Sequence, residues 1–272
     1  MEWQIHNAES EERVEEYNIA LIPQKEHLRE DCRYAKNKEL EAWKKYEAFK
    51  DVKDVGQERF LHRWILVEKE ADGEKYTKAR LVFGGFEETI DIQSDSPTGS
   101  KETLHLMLAI SSSKSWDICS LDVKNTYLQG EELQRTVFME PPKEMKKLGI
   151  IWQIFKSVYG MNDAGRRWFL KVKTCLEKLK CAQSSLDPCL FFYHRDQNRS
   201  GILIIWVDNF FYSGDGNQEN EVVQEVEKSF QIGRTDHSKF LYTGLPIEKM
   251  STGITIDQIG YSEKIRPVDL TL

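Results

Sequence analysis

An apolar run that ends in an acid constrains this chain more than any other feature. Ile202 to Val207 is its longest wholly apolar stretch, and it leads straight into Asp208-Asn209 and then Phe210-Phe211-Tyr212. Strand-forming residues on both sides of a two-residue polar break predict a very hydrophobic hairpin with Asp208 at its turn. An ionised carboxylate in such surroundings is expensive to hold unless a cation or hydrogen-bond donors meet it. Taken alone, the segment is better explained by an ordinary Asp-Asn turn, the commoner fate of that pair between strands. The run is far shorter than the ~20 apolar residues that cross a bilayer, so no membrane partner is expected.

Composition supports a packed core. Hydrophobic residues make up 40% of the 272 positions, seven of them are Trp, and the 31% of charged residues interleave both signs, unlike a solvated tail. The net charge of -7 argues against a surface coated for nucleic acid, yet a local cleft of Lys and Arg steers phosphates whatever the total. The five cysteines form no C-x-x-C pair and follow no signal-peptide pattern, which predicts free thiols and an intracellular, cytoplasmic location.

Along the chain, residues 1–33 read as a polar acidic leader, with Glu9, Glu11, Glu12, Glu15 and Glu16 and a short extended patch at Ala20 to Pro23. Leu40, Trp43, Tyr46 and Phe49 recur at near-helical spacing and predict an amphipathic helix over 34–50. A hairpin is expected from 63–69 and 78–83 around Asp72-Gly73, and a helix over 103–112. A short strand should end at Ser120-Leu121-Asp122-Val123. Gly165 to Lys180 is a basic amphipathic helix, carrying Arg166, Arg167, Lys171 and Lys173. Strands over 190–194 and 202–212, a helix over 219–230 and strands over 240–247 and 253–257 complete the pattern. Helices mixed with hairpins, without sustained β-α-β alternation, favour an α+β fold with helices on one face of a sheet.

Asp122 changes the weight given to Asp208. It too sits at the end of an apolar strand, and two strand-borne acids side by side supply the oxygen ligands that divalent ions take. Such a pair supports in-line phosphoryl transfer, but only tertiary folding can bring these two together.

In chain order, Lys78-Ala-Arg-Leu-Val, Leu121-Asp-Val-Lys, Val158-Tyr-Gly, Asp187-Pro-Cys-Leu-Phe and Trp206-Val-Asp-Asn resemble the reverse transcriptase domain of copia-type LTR retrotransposons. The resemblance runs from about Leu40 to Asp269. It implies a right-hand polymerase fingers-and-palm portion over 34–262, with an antiparallel palm sheet backed by helices, and 263–272 as the truncated start of a following region. The implied activity is RNA-directed DNA polymerisation with two Mg2+ ions, or Mn2+ in their place. The implied partners are an RNA or DNA template-primer, deoxynucleoside triphosphates and the rest of a retrotransposon polyprotein, within a virus-like particle if the element is active.

Residue by residue, the resemblance makes Asp122, Asp208 and Asn209 the catalytic positions, with Asp122, Asp208 and Val123 at the metals. Lys78 and Arg80 match residues that hold the incoming triphosphate, in keeping with the fork geometry of Arg. Tyr127, next to Val123 in the substrate set, matches the bulky gate that rejects a ribose 2′-OH. Tyr159 and Gly160 match the turn beneath the nascent base pair. Arg166, Arg167, Lys171 and Lys173 follow a template backbone, since phosphate contacts need no sequence reading. Without the other motifs, Lys78 and Arg80 are an exposed strand face, Tyr159-Gly160 an ordinary turn, and the basic helix a solvated surface.

The chain departs from the family pattern at several places. Trp206-Val-Asp-Asn stands where the family has Tyr-Val-Asp-Asp, so an amide at Asn209 replaces the second carboxylate of the hairpin. Phe83 and Gly84 replace a small residue and a cation, Gly165 loosens a helix start, and Pro246 is expected to delete a ladder donor inside a strand. These departures leave two functional readings: a polymerase domain impaired by Asn209, or a catalytically dead remnant or co-opted nucleic-acid-binding module. A third, a structural protein with chance matches, predicts that Asp122 and Asp208 lie apart.

Overall fold

Short strands become stable only when paired and covered, and this chain supplies partners and covering helices in alternation. A computed structural model describes residues 20–71, 74–88, 92–195, 198–216, 219–263 and 265. The acidic residues expected in a leader, Glu9 to Glu16, the Asp72-Gly73 turn and nearly all of 263–272 lie outside these. Ala20–Leu21 (β1) leads to Glu30–Lys45 (α1), Phe49–Lys53 (β2), His62–Ala71 (β3) and Glu74–Phe83 (β4). Lys101–Ser113 (α2), Asp117–Val123 (β5), Glu132–Met139 (β6), Ile150–Lys156 (β7) and Ala164–Lys178 (α3) follow. Then come Ala182–Gln183 (β8), Leu190–Arg195 (β9), Asn198–Trp206 (β10), Asn209–Gly214 (β11), Gln224–Ser229 (α4) and Ile232–His237 (β12). Lys239–Tyr242 (β13), Leu245–Met250 (β14), Gly253–Ile256 (β15) and Ile259–Ser262 (α5) close the described chain. Among the described residues, no helix is long and apolar enough to cross a membrane.

The chain divides into two units, Met1–Pro97 with Asn125–Cys175, and Thr98–Lys124 with Leu176–Leu272. The first holds two three-stranded sheets, β1-β3-β4 and β2-β7-β6. The expected hairpin is β3 with β4, registered from His62 opposite Phe83 to Ala71 opposite Glu74. Cys32 and Ala35 of α1 bury against Leu66 and Ala79 of that hairpin, with Ile22 alongside. Residues 30–33, expected in a loose leader, therefore form the first turn of a packed helix. At its other end the helix stops at Lys45, earlier than the spacing predicts, because Glu47 turns with φ 51° and Phe49 enters β2. Phe49 kept the helical spacing of apolar residues for a different reason: its ring stacks on Trp152 at 3.7 Å, beside Trp43. Phe83, expected as added bulk, is a core residue packed on Phe60 at 4.8 Å between ring centroids.

A buried acid ties the first unit's loops together. Arg135 donates to both oxygens of Asp163 at 2.6 and 2.9 Å and to Glu88 at 2.7 Å, while Arg167 Nε donates to Asp163 at 2.6 Å. Burial pushes the Asp163 carboxyl up, but these two guanidiniums outweigh it and hold the group below its ordinary value.

The second unit is built on a six-stranded antiparallel sheet in the order β12-β5-β11-β10-β9-β8. Leu104, Met107 and Leu108 of α2 pack with Ile118, Ile202, Ile204 and Phe211 of this sheet and with Phe240, Tyr242 and Ile247 of the small sheet β13-β14-β15. Asp187, from the Asp-Pro-Cys-Leu-Phe motif, docks the helix: it accepts from Ser100 N at 3.1 Å, Thr103 Oγ1 at 2.6 Å and Cys189 N at 2.9 Å. Close approach here needs Gly99, since a Cβ there would fall 2.6 Å from Ile204. The segment 240–247, expected as one strand, is a hairpin turning at Thr243 and Gly244, both at positive φ. Pro246 deletes nothing from the ladder to β15, which begins at Ile247.

Asp163 makes stability depend on acid. A depressed native pKa contributes stability that is complete above the unfolded value, about 4, and is lost as pH falls through the native value. Urea midpoints between pH 7 and pH 3 should fall more steeply for the parent chain than for Asp163→Asn, which is less stable at neutral pH. Parallel pH profiles would contradict this assignment.

Candidate functional site

Strand pairing decides where the two distant acids go. In the antiparallel pair of β11 with β5, Asn209 stands opposite Asp122, so these two side chains leave the same face of the sheet as direct neighbours. The turn Val207-Asp208 joins Trp206 to Asn209, and Val123 N donates to Asp208 O at 2.8 Å, carrying the β5 pairing one step into the turn. Asn209 Nδ2 donates to Asp208 Oδ1 at 3.4 Å. Asn209 therefore adjoins both acids, one across the strands and one along the chain. Asp122 and Asp208 are half-buried, and Asn209 and Val123 are buried.

Two features of this site escaped sequence reasoning. On the other side of β5, Arg234 pairs with Asp122 and Ile232 with Val123, leaving Gly233 bulged between them. A Cβ at 233 would lie 2.6 Å from Asp122 Oδ2 and 3.0 Å from Lys124 Cγ, so the glycine makes room for the carboxylate. The available signal was a lone Gly within a strand-like run, which marks a bulge or a close approach. Val207 is the second feature: a β-branched residue at φ 50°, in a turn position that Gly or Asn normally fills. Such strain persists only where surrounding structure imposes it, and it concentrates at functional sites.

The remaining expected site residues belong to the first unit. Lys78 and Arg80, two apart on β4, share one face. Near them lies Glu39 of α1, which accepts from Trp43 Nε1 at 3.0 Å and Leu81 N at 3.5 Å. Burial pushes the Glu39 carboxyl up, against the two hydrogen bonds and the charges of Arg80 and Lys78. The Arg80 guanidinium lies 4.8 Å from the centroid of the Tyr159 ring, and that ring meets Tyr127 edge-on at 4.9 Å. Phe83 N donates to Tyr159 O at 2.7 Å, and Gly160, at φ 91°, sits where a Cβ would come 2.2 Å from Phe83 O.

The basic residues of α3 are not equivalent. Arg166 pairs with Asp95 at 2.8 Å, and Arg167 is engaged by Asp163 and donates to Glu132 O at 2.8 Å. Lys171 is exposed and lines a cavity of about 320 Å3 with Lys45 and Lys156; Lys173 is half-buried. Among the described residues, no group of three or more His, Cys, Asp or Glu is arranged to hold a metal ion. The acids at the β5–β11 end number two, with an amide beside them.

The family model described as reverse transcriptase (RNA-dependent DNA polymerase) matches residues 40–271. The retrovirus-related Pol polyprotein from transposon TNT 1-94 of Nicotiana tabacum is 27% identical over 244 residues, covering 85% of this chain and 18% of that protein. The Pol polyprotein from transposon RE1 of Arabidopsis thaliana is 26% identical, over 73% of this chain and 14% of that protein. The truncated transposon Ty1-A Gag-Pol polyprotein of Saccharomyces cerevisiae is 23% identical, over 69% and 16% respectively. The chain thus spans less than a fifth of the length of these relatives. A telomerase structure from Candida albicans, in complex with a fragment of telomeric RNA, aligns with a TM-score of 0.49 at 9% identity, over 89% of this chain and 51% of that one.

Gly233 provides a test of how tightly Asp122 is seated. Gly233→Ala should lower the unfolding free energy by about 1–3 kcal/mol, because the carboxylate and Lys124 must give way. Adding Asp122→Ala should recover a good part of that loss, a coupling readable from a double-mutant cycle in urea. Strictly additive effects would show that the two positions do not share space.

Proposed function

Because the chain belongs to the reverse transcriptase (RNA-dependent DNA polymerase) family, in its copia-type branch, we propose that it extends a primer on a nucleic-acid template, with chemistry weakened by Asn209. The observation that carries this reading is the register of β5 with β11, which sets Asp122 beside Asn209, itself hydrogen-bonded to Asp208. In this reading the six-stranded sheet with α2 is the palm and the sheet β1-β3-β4 belongs to the fingers.

The side chains at that sheet end offer oxygens, from two carboxylates and the Asn209 amide, and the family resemblance adds the Val123 carbonyl. Such a set suits a hard divalent cation, and Gly233 leaves room for the Asp122 carboxylate itself. When bound there, Mg2+ or Mn2+ supplies the charge that activates a primer hydroxyl and braces the leaving phosphate. Asp122 and Asp208 hold the ions, and the strained Val207 turn fixes the direction in which Asp208 points. Lys78 and Arg80 neutralise the triphosphate of an incoming deoxynucleotide. Tyr127 blocks a ribose 2′-OH, while Tyr159 and Gly160 support the new base pair. Of Arg166, Arg167, Lys171 and Lys173, Lys171 is the exposed one and the one open to a template phosphate, while Lys173, two residues on, leaves a different side of the helix; Arg166 and Arg167 exchange carboxylate partners for phosphate only at the expense of their ion pairs. The remaining partners are the other segments of a retrotransposon polyprotein.

Asn209 sets the rate. Attraction between a divalent ion and a nearby carboxylate is several kcal/mol even at an effective dielectric of ~20. Loss of ~3–5 kcal/mol of that in the transition state slows the reaction by roughly 10²–10⁴. The same missing charge favours a second reading, a catalytically dead remnant or co-opted module that only binds nucleic acid.

Primer extension on an RNA template with deoxynucleoside triphosphates separates the two. The parent chain should extend weakly, and Asn209→Asp should gain roughly 10²–10⁴ in rate. Asp122→Asn should abolish that gain. If neither the parent nor Asn209→Asp adds a nucleotide while both bind the template, the binding-module reading replaces this one.

A further inference from the structure

Tyr159 occupies a position that its backbone turn alone does not require. Its ring has Arg80 on one side, with the guanidinium carbon 4.8 Å from the ring centroid, and Tyr127 on another, at 4.9 Å and an interplanar angle of 72°. The first geometry is that of a cation–π contact and the second that of an edge-to-face aromatic pair. Three residues far apart in sequence thus form one chain of ring contacts within the first unit.

The backbone beneath these rings is fixed at two points. Phe83 N donates to Tyr159 O at 2.7 Å, and Gly160 lies so close to Phe83 O that any Cβ would come within 2.2 Å of it. Gly85 also approaches closely, with a Cβ position only 2.0 Å from Gly160 O. The turn that carries Tyr159 is therefore stitched to the end of β4, the strand that carries Arg80. Tyr127 is buried in its short helical turn at residues 126–129, so its ring has few alternative rotamers once Tyr159 is in place.

We propose that Tyr159 is a positioning residue for sugar discrimination: it ties the cation that grips the triphosphate, Arg80, to the ring that excludes a ribose 2′-OH, Tyr127. The inference rests on the polymerase reading above and assigns a further role within it. A triphosphate that draws Arg80 into place acts on Tyr127 through one shared ring. The device needs an aromatic surface at 159 and a planar cation at 80, and it does not use the Tyr159 hydroxyl.

The test uses a primer terminated by a dideoxynucleotide, annealed to template, so that nucleotide binding is read without chemistry. Affinities for dATP and for ATP opposite template thymine are measured in Mg2+ for the parent chain and three variants. The parent should prefer dATP, and Tyr159→Phe should keep that preference. Tyr159→Leu should lose about five- to tenfold of the dATP-to-ATP ratio, as expected from removing one cation–π and one aromatic pair. Arg80→Lys, which keeps the charge but not the planar face, should move the ratio in the same direction. An unchanged ratio in Tyr159→Leu, in a chain that still binds dATP, overturns the positioning role and leaves the polymerase reading standing. A parent chain that forms no ternary complex with dATP overturns both.

Discussion

Everything proposed for this chain depends on one antiparallel pairing, that of β5 with β11. Side chains alternate across a strand, so a slip of one residue would turn Asp122 to the opposite face of the sheet from Asn209. What holds the register is apolar packing: Leu121, Phe210 and Phe211 are fully buried, and Cys119 and Tyr212 nearly so. Because β11 is buried on both faces, slippage would break the packing of these rings on either side of the sheet. Burial in the sheet thus fixes the position of the acids indirectly, with no need for the acids themselves to stabilise the fold. Asp187 and Gly99 serve the same end from beneath, by drawing α2 against Ile204 of β10.

The residues proposed to carry chemistry divide between the two units. The carboxylates proposed to hold cations, Asp122 and Asp208, lie where β5 and β11 meet, at the end of a packed sheet. Lys78 and Arg80, proposed to meet a triphosphate, have near them the Glu39 carboxyl, which burial pushes up against the pull of their charges. In the proposed reading the amide at Asn209 weakens only the first of these, and it is compatible with the β5–β11 register and the hydrogen bond from Val123 N to Asp208 O.

Much of this was legible in the sequence, for reasons that can be stated. The β3–β4 hairpin, α2, α3 and the hydrophobic β10–β11 hairpin all show their periodicity within a few residues. Asp122 and Asp208 stood out because each carboxylate follows an apolar strand. Other features depend on partners that no local pattern reveals. Phe49 fits a helical period but packs as a strand residue on Trp152. β6, with Glu132, Gln134 and Arg135, reads as surface until β7 supplies its apolar neighbours, and the sheet β2-β7-β6 was not anticipated. Arg167 looks like any cation on a basic helix, yet Asp163 engages it. Gly233 matters only because Asp122 lies 2.6 Å from where its Cβ would be.

The central claim, that two acids remote in sequence share one cation-binding place, is tested most directly by titrating the chain with Mn2+ and following bound ion by electron paramagnetic resonance. The account predicts saturable binding that weakens sharply in Asp122→Asn and in Asp208→Asn, and strengthens in Asn209→Asp. Binding that is unaffected by removing either carboxylate would contradict it.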